Sequence, residues 1–135
     1  MRKITVMLAS VAAAGIAVGA PVAAQAEPVG TVGASLTLTK TYEHGTAISQ
    51  TLTCDPEGGT HPNAVQACAE LAKVEADFDR LSAKDGADKC KEQNGEFHPV
   101  RVEAQGIWRG NAVSYRHSFL NSCWLSANTG TVFQF

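Results

Sequence analysis

Four cysteines, Cys54, Cys68, Cys90 and Cys123, all lie downstream of an apolar leader, and they constrain this chain more than any other feature. Arg2 and Lys3 supply a short positive start, and residues 4–20 carry no charge and are rich in alanine, valine and isoleucine. Ala24-Gln25-Ala26 fits a small-x-small processing site. Residues 1–26 therefore read as a signal peptide, and the mature chain is expected to begin at Glu27 and to be secreted. A membrane anchor is disfavoured, because the stretch is short for a stable span and a processing site follows it directly. In an oxidising compartment an even number of cysteines reads as disulfides. Four cysteines allow three pairings, and the local one, Cys54 with Cys68 and Cys90 with Cys123, is the simplest. The first of these closes a short loop, worth roughly 3 kcal/mol by chain entropy. A metal site is disfavoured, since no C-x-x-C is present and His44, His61, His98 and His117 do not fall at zinc-ligand spacing.

Removing the leader leaves residues 27–135, a chain of 109 residues and one domain's worth of core. The basic count drops from 11 to 9 against 13 acids, and the net charge from -2 to -4. There is no basic run and no interleaving of aromatics with positive charge, so nucleic acid is not an expected partner. No second apolar stretch suggests a membrane span.

Residues 27–33 read as a loose arm, and 34–135 as the folded domain. Ala34 to Thr41 alternates, with Leu36 and Leu38 on one side, as a half-buried strand does. Ile48, Leu52 and Cys54 share the face of a second strand, and the turn at Glu43-His44-Gly45 makes the two a hairpin. Asp55 to Pro62 is turn material. Apolar residues then recur at helical spacing from Ala64 through Leu71 to Leu81, predicting one long helix. The polar stretch Ser82 to Glu96 reads as a loop with a short helical turn near Lys84–Asp88. Val100, Val102 and Ala104 alternate again, and Trp108-Arg109-Gly110-Asn111 makes a tight reversal. Val113, Tyr115, His117 and Phe119 form the inward row of the next strand, and Val132 to Phe135 reads as a final apolar strand. The expected class is α+β: a five-stranded antiparallel sheet with one long and one short helix packed on one face, held by two disulfides. One helix layer covers only one sheet face. Trp108 and outward β-branched residues are expected to leave an apolar patch on the other, a candidate dimer face.

Enzyme chemistry is not expected. The sequence contains no G-x-S-x-G, H-E-x-x-H, P-loop or dinucleotide fingerprint, and no cofactor is implied. Every cysteine is committed to a bridge. His117 sits on an apolar row, where a satisfied core or edge histidine is the simpler reading than a catalytic base. The segment Cys90 to Pro99 stands out instead. Cys90 can pin its start, and Pro99 fixes φ at its end and pushes His98 toward an extended shape. An extended loop tethered at both ends can lie in a protease cleft as a substrate does, with little ordering cost on binding.

The chain resembles the Streptomyces subtilisin inhibitor family of secreted serine-protease inhibitors. The residues that carry the resemblance are Leu52-Thr53-Cys54-Asp55-Pro56, Gly59-Thr60-His61-Pro62, Ala67-Cys68-Ala69-Glu70-Leu71, Gly106-Ile107-Trp108-Arg109-Gly110, Val113-Ser114-Tyr115, Phe119-Leu120-Asn121-Ser122-Cys123 and Val132-Phe133-Gln134-Phe135. The resemblance implies bridges Cys54–Cys68 and Cys90–Cys123, a five-stranded sheet with two helices, and a homodimer packed through the sheets. It also implies a reactive loop after the third cysteine, here Lys91, Glu92, Gln93, Asn94, Gly95, Glu96 and Phe97. Counting from Cys90 places Glu92 in the protease pocket, with Gln93 across the scissile bond, and counting back from Pro99 places Gly95 there. Glu92–Gln93 is the expected reactive bond. A glutamate suits a pocket with basic or polar donors, as in a glutamate-specific protease, better than the apolar pocket of a subtilisin-like one. Lys91 would suit a trypsin-like pocket, and Phe97 a chymotrypsin-like one, although it lies close to Pro99. The alternative is a non-inhibitory secreted scaffold, for example a partner or substrate of transglutaminase through Gln93 and Lys91.

Overall fold

The computed structural model describes residues 33–92 and 95–135. The signal peptide assigned to 1–26, the arm apart from Gly33, and the loop residues Gln93 and Asn94 lie outside the described residues. The strands are β1 (Ala34–Tyr42), β2 (Ala47–Cys54), β3 (Gly58–Gly59), β4 (Val100–Trp108) and β5 (Asn111–Phe119). They form one antiparallel sheet in the order β3-β2-β1-β4-β5. The α-helices among the described residues are α1 (Ala64–Lys73), α2 (Gly86–Glu92) and α3 (Ser122–Thr129), with a 3-10 turn at Phe78–Arg80.

The alternation in β1 sorts its residues as the period-2 pattern requires. Ala34, Leu36 and Leu38 are buried, while Ser35 and Thr37 are exposed. Leu36 pairs with Leu52 on β2 and with Gly106 on β4. That register places Leu52, Ala104, Val102 and Val100 on the same side of the sheet. There they meet Ala67, Cys68 and Leu71 of α1, with Leu125 of α3 and Val132 and Phe133 completing the core. The Cys54–Cys68 bridge joins the end of β2 to α1 across a Cα separation of 5.7 Å and pins the helix to the sheet. The reversal between β4 and β5 has two central residues, Arg109 and Gly110, both at positive φ (45° and 83°). Two such residues make the turn whose twist suits a tight hairpin.

The structure corrects several sequence expectations. The long helix ends at Lys73, because Glu75 and Ala76 adopt left-handed φ of 50° and 55°. The Trp108 indole donates to the Glu75 carboxylate (3.2 Å), and Arg109 Nη1 donates to it as well (2.8 Å). The Trp108 bond, with help from Arg109, holds the Glu75 carboxyl below its ordinary range. The apolar periodicity runs on past the break because Phe78 and Leu81 return to the same core from the 3-10 turn and the following chain. The short helical turn expected near Lys84–Asp88 is present as α2, displaced to Gly86–Glu92. The fifth strand is not Val132–Phe135 but the pair Gly58–Gly59, matched to Thr53 and Leu52. Val132 and Phe133 are core plugs, and an apolar run alone cannot distinguish a plug from a strand.

One named residue also changes place. Trp108 is only 3% exposed and lies on the helix-covered side, opposite Ala34, so it is not on the open face. His117 keeps its place on the helix-covered row, opposite buried Val102, with its ring stacked on Tyr115 and tilted against Phe119, but on the edge strand it is exposed. The open face carries Ser35, Thr37, Thr51, Thr53, Ser114 and Glu103–Arg116, with Ile107 as its exposed large apolar side chain. The expected apolar patch is therefore a largely polar sheet surface.

His61 fastens the C-terminal segment. Its Nε2–H donates to the Val132 carbonyl (3.0 Å), and its Nδ1 accepts from the Asn63 amide (3.0 Å). Burial lowers the imidazole pKa, and this outweighs the opposing Val132 bond. The neutral ring is the form that can serve both partners, because Nδ1 has to stay free to accept.

Candidate functional site

The described residues 95–99 follow α2 in the chain, precede β4 and lie beside the β5–α3 junction. Their beginning is held from below by α2. Gly86 opens that helix, and a Cβ there would come within 2.7 Å of the Ala127 Cα, so only glycine allows α2 to sit this close to α3. Ala83 N–H donates to the Ala127 carbonyl (2.8 Å), docking the approach to α2. The Cys90–Cys123 bridge then ties the last turn of α2 to the first turn of α3, with Cα atoms 5.7 Å apart. Both local cysteine pairs are thus formed.

Lys91 and Glu92, which the sequence reading placed in the loop, continue the helical backbone of α2. The Lys91 ammonium lies 3.5 Å from Asp88 one turn back, both side chains in solvent, where such a pair contributes little. From Gly95 the described chain has left the helix, and Gly95, Glu96, Phe97 and His98 are all exposed. Phe97 stands out at 67% exposure for a large aromatic side chain.

This exposed stretch is fastened by backbone groups. Asn121, the N-cap of α3, uses both ends of its amide. Its Oδ1 accepts from the Trp124 N–H (3.1 Å), as an N-cap should, and its Nδ2 donates to the Glu96 carbonyl (3.1 Å). The next fastening uses the residue before Asn121 and the second residue after Glu96: His98 N–H donates to the Leu120 carbonyl (3.1 Å). The His98 ring adds a link to the β1–β2 turn. Its Nε2 is 3.1 Å from Glu96 Oε2, and its Nδ1 is 3.6 Å from Glu43 Oε2. The Glu96 carboxylate, and then Glu43, raise the His98 pKa above the ordinary histidine value. Pro99 leads into β4, where Val100 is buried opposite Phe119.

Of the residues named from sequence, Gly95, Glu96 and Phe97 share this fastened stretch, Lys91 and Glu92 belong to the helix before it, and Gln93 and Asn94 lie outside the described residues. The sequence reading did not single out Asn121 as a site residue. The signal for its capping half was present, an asparagine directly ahead of Ser122-Cys123-Trp124-Leu125. Its second bond, to a carbonyl 25 residues away, has no local signature. Among the described residues the arrangement offers no nucleophile activated by a base. What it can do chemically is present a short peptide in a fixed, exposed shape.

A family model described as "Subtilisin inhibitor-like" matches residues 31–121. "Protease inhibitor SIL-V5" of Streptomyces luteoverticillatus is 46% identical over 87 residues, covering 63% of this chain and 77% of that protein. "Probable subtilase-type protease inhibitor" of Streptomyces avermitilis is 36% identical over 140 aligned positions, covering 98% of this chain and 94% of that protein. Among solved structures, Streptomyces caespitosus sermetstatin, in complex with Bacillus licheniformis subtilisin, is similar at a TM-score of 0.56 and 26% identity, covering 76% of this chain and 98% of that one.

Proposed function

This chain belongs to the subtilisin inhibitor-like family, and from that premise we propose that it is a secreted inhibitor of serine endopeptidases that inserts its loop, residues 91–97, into the protease cleft as a substrate would. It is an inhibitor and not an enzyme. The observation that carries the reading is the fastening of an exposed stretch on both sides, by Cys90–Cys123 before it and by Asn121 and Leu120 within it. A loop already held in its bound shape loses little conformational freedom on docking. If the protease cuts the loop, the bridge and the hydrogen bonds keep the new ends adjacent, so resealing competes with release. The likeness to sermetstatin, solved in complex with subtilisin, supports a subtilisin-type target. Trypsin-like and glutamate-specific enzymes stay in the reading through Lys91 and Glu92. The bond Glu92–Gln93 would require the last turn of α2 to unwind, because a protease cleft reads extended backbone.

The test is a panel. The mature protein, residues 27–135, is titrated against subtilisin, trypsin, chymotrypsin and a glutamate-specific protease, and mass spectrometry locates any cut. Sub-micromolar inhibition of at least one enzyme, with a single cut in the loop, is the expected result. Degradation by all four without inhibition would end the inhibitor reading. It would leave the second one, a non-inhibitory scaffold with exposed Lys91 open to transglutaminase. The homodimer rests on the sheet face that no helix covers, and a strict monomer in sedimentation at micromolar concentration would remove it.

A further inference from the structure

The backbone fastenings are not spread evenly along the loop. Asn121 holds the carbonyl of Glu96, and Leu120 holds the amide of His98. The two holding groups are consecutive residues of the β5–α3 junction, and the two held groups bracket one residue, Phe97. That residue carries the exposed large apolar side chain of the segment, at 67%. The ring is not part of the hydrophobic core and stands in solvent, free for a partner to cover. Its neighbours are occupied, since the Glu96 carboxylate lies against the His98 ring, which also reaches Glu43.

We infer that Phe97 is the specificity residue of this inhibitor, entering the primary pocket of a serine protease whose pocket is large and apolar, with Phe97–His98 as the reactive bond. The inference rests on the proposed inhibitor function and deepens it. An aromatic ring taken from water into such a pocket supplies the buried apolar area that anchors tight interfaces. A glutamate at Glu92 would lose its hydration in the same pocket with no cation to meet it. The bracketing hydrogen bonds also suit the chemistry. Attack by the protease serine hydroxyl on the Phe97 carbonyl breaks the Phe97–His98 bond, leaves Phe97 as an acyl ester on the serine, and passes the hydroxyl proton to the His98 amine. That amine remains tied to the Leu120 carbonyl and to β4. The acyl side remains tied through Asn121 and Cys90–Cys123. The amine is therefore placed to attack the ester and reform the peptide, returning the proton to the serine.

The experiment uses the mature protein, residues 27–135, with Phe97→Ala, Phe97→Lys and Glu92→Ala variants against the same four proteases. Because Phe97 is in solvent, unchanged thermal unfolding is expected and confirms that each variant is folded. Phe97→Ala should weaken inhibition of the apolar-pocket enzymes by about 30-fold or more, the scale of a lost anchor residue. Phe97→Lys should transfer inhibition to trypsin, and Glu92→Ala, made at the competing pocket candidate, should not move the position of the cut. The cut found in complexes should lie between Phe97 and His98. Wild-type inhibition that survives Phe97→Ala, or a cut at Glu92–Gln93 or Gly95–Glu96, would overturn the inference while leaving the inhibitor reading intact. A wild type that inhibits none of the four would overturn both.

Discussion

Serine at both Cys90 and Cys123 is expected to turn this protein from an inhibitor into a substrate. The bridge spans a sequence separation of 33, and losing it should cost about 3–4 kcal/mol of stability through the freed unfolded chain. The larger consequence is local. α2 is a helix of seven residues, too short to hold itself together in water, and it is held in place by Gly86 on Ala127 and by Cys90 on Cys123. Without the bridge the acyl side of a cut loop can drift away, so hydrolysis outruns resealing. Progress curves should show a protease that is first slowed and then recovers as the variant is consumed, with a lower urea midpoint for unfolding. The double serine variant of Cys54 and Cys68 is the control. It should lose about 3 kcal/mol, as expected for a separation of 14, yet keep its inhibition pattern below its unfolding midpoint. Permanent inhibition by the Cys90/Cys123 variant would show that the hydrogen bonds from Asn121 and Leu120 suffice alone.

Gly106→Ala is expected to be the most damaging single substitution among the described glycines of the sheet. Gly106 has φ of 147°, and a Cβ there would lie 2.0 Å from the Ser35 carbonyl oxygen and 3.0 Å from the Leu36 Cα. Both are backbone atoms of the adjacent strand, so no rotamer change relieves the clash. Relief requires β1 and β4 to separate in the middle of the sheet. Backbone strain of about 1–3 kcal/mol, together with overpacking of similar size, gives an expected loss of about 3–5 kcal/mol. Gly110→Ala is the comparison. It also has positive φ, but a Cβ there meets nothing within 4 Å, and the loss should stay near 1 kcal/mol. Denaturant midpoints for the two variants measure the difference directly. Equal losses would mean that the close approach at Ser35 does not constrain the sheet.

These expectations rest on features of unequal visibility. The hairpin of β1 and β2 was readable because alternation and a short turn are local, and the structure pairs Ala34 with Cys54 and Thr41 with Ala47 as that reading requires. The Arg109-Gly110 reversal was readable for the same reason. The helix beginning at Ala64 was visible from its spacing, but its end was not. Phe78 and Leu81 keep the apolar rhythm after the helix has stopped, and the stop depends on Trp108 and Arg109 reaching back to Glu75 from the far end of β4. The final apolar run was visible as buried material, yet its form as a plug, and not a strand, depends on His61 holding the Val132 carbonyl.

At the site the division is sharper. Residue order by itself set the local cysteine pairing as the simplest choice, the α+β class, and a proline-ended loop after Cys90. Each of these is a statement about near neighbours, or about residue types whose chemistry leaves few options. The three-dimensional packing alone decided that Lys91 and Glu92 are helical, that Trp108 is core, and that Asn121 and Leu120 bracket Phe97. Those facts come from hydrogen bonds and close approaches between segments more than twenty residues apart, with α3 packed against α2 and β5. Nothing within either segment encodes the distance between them.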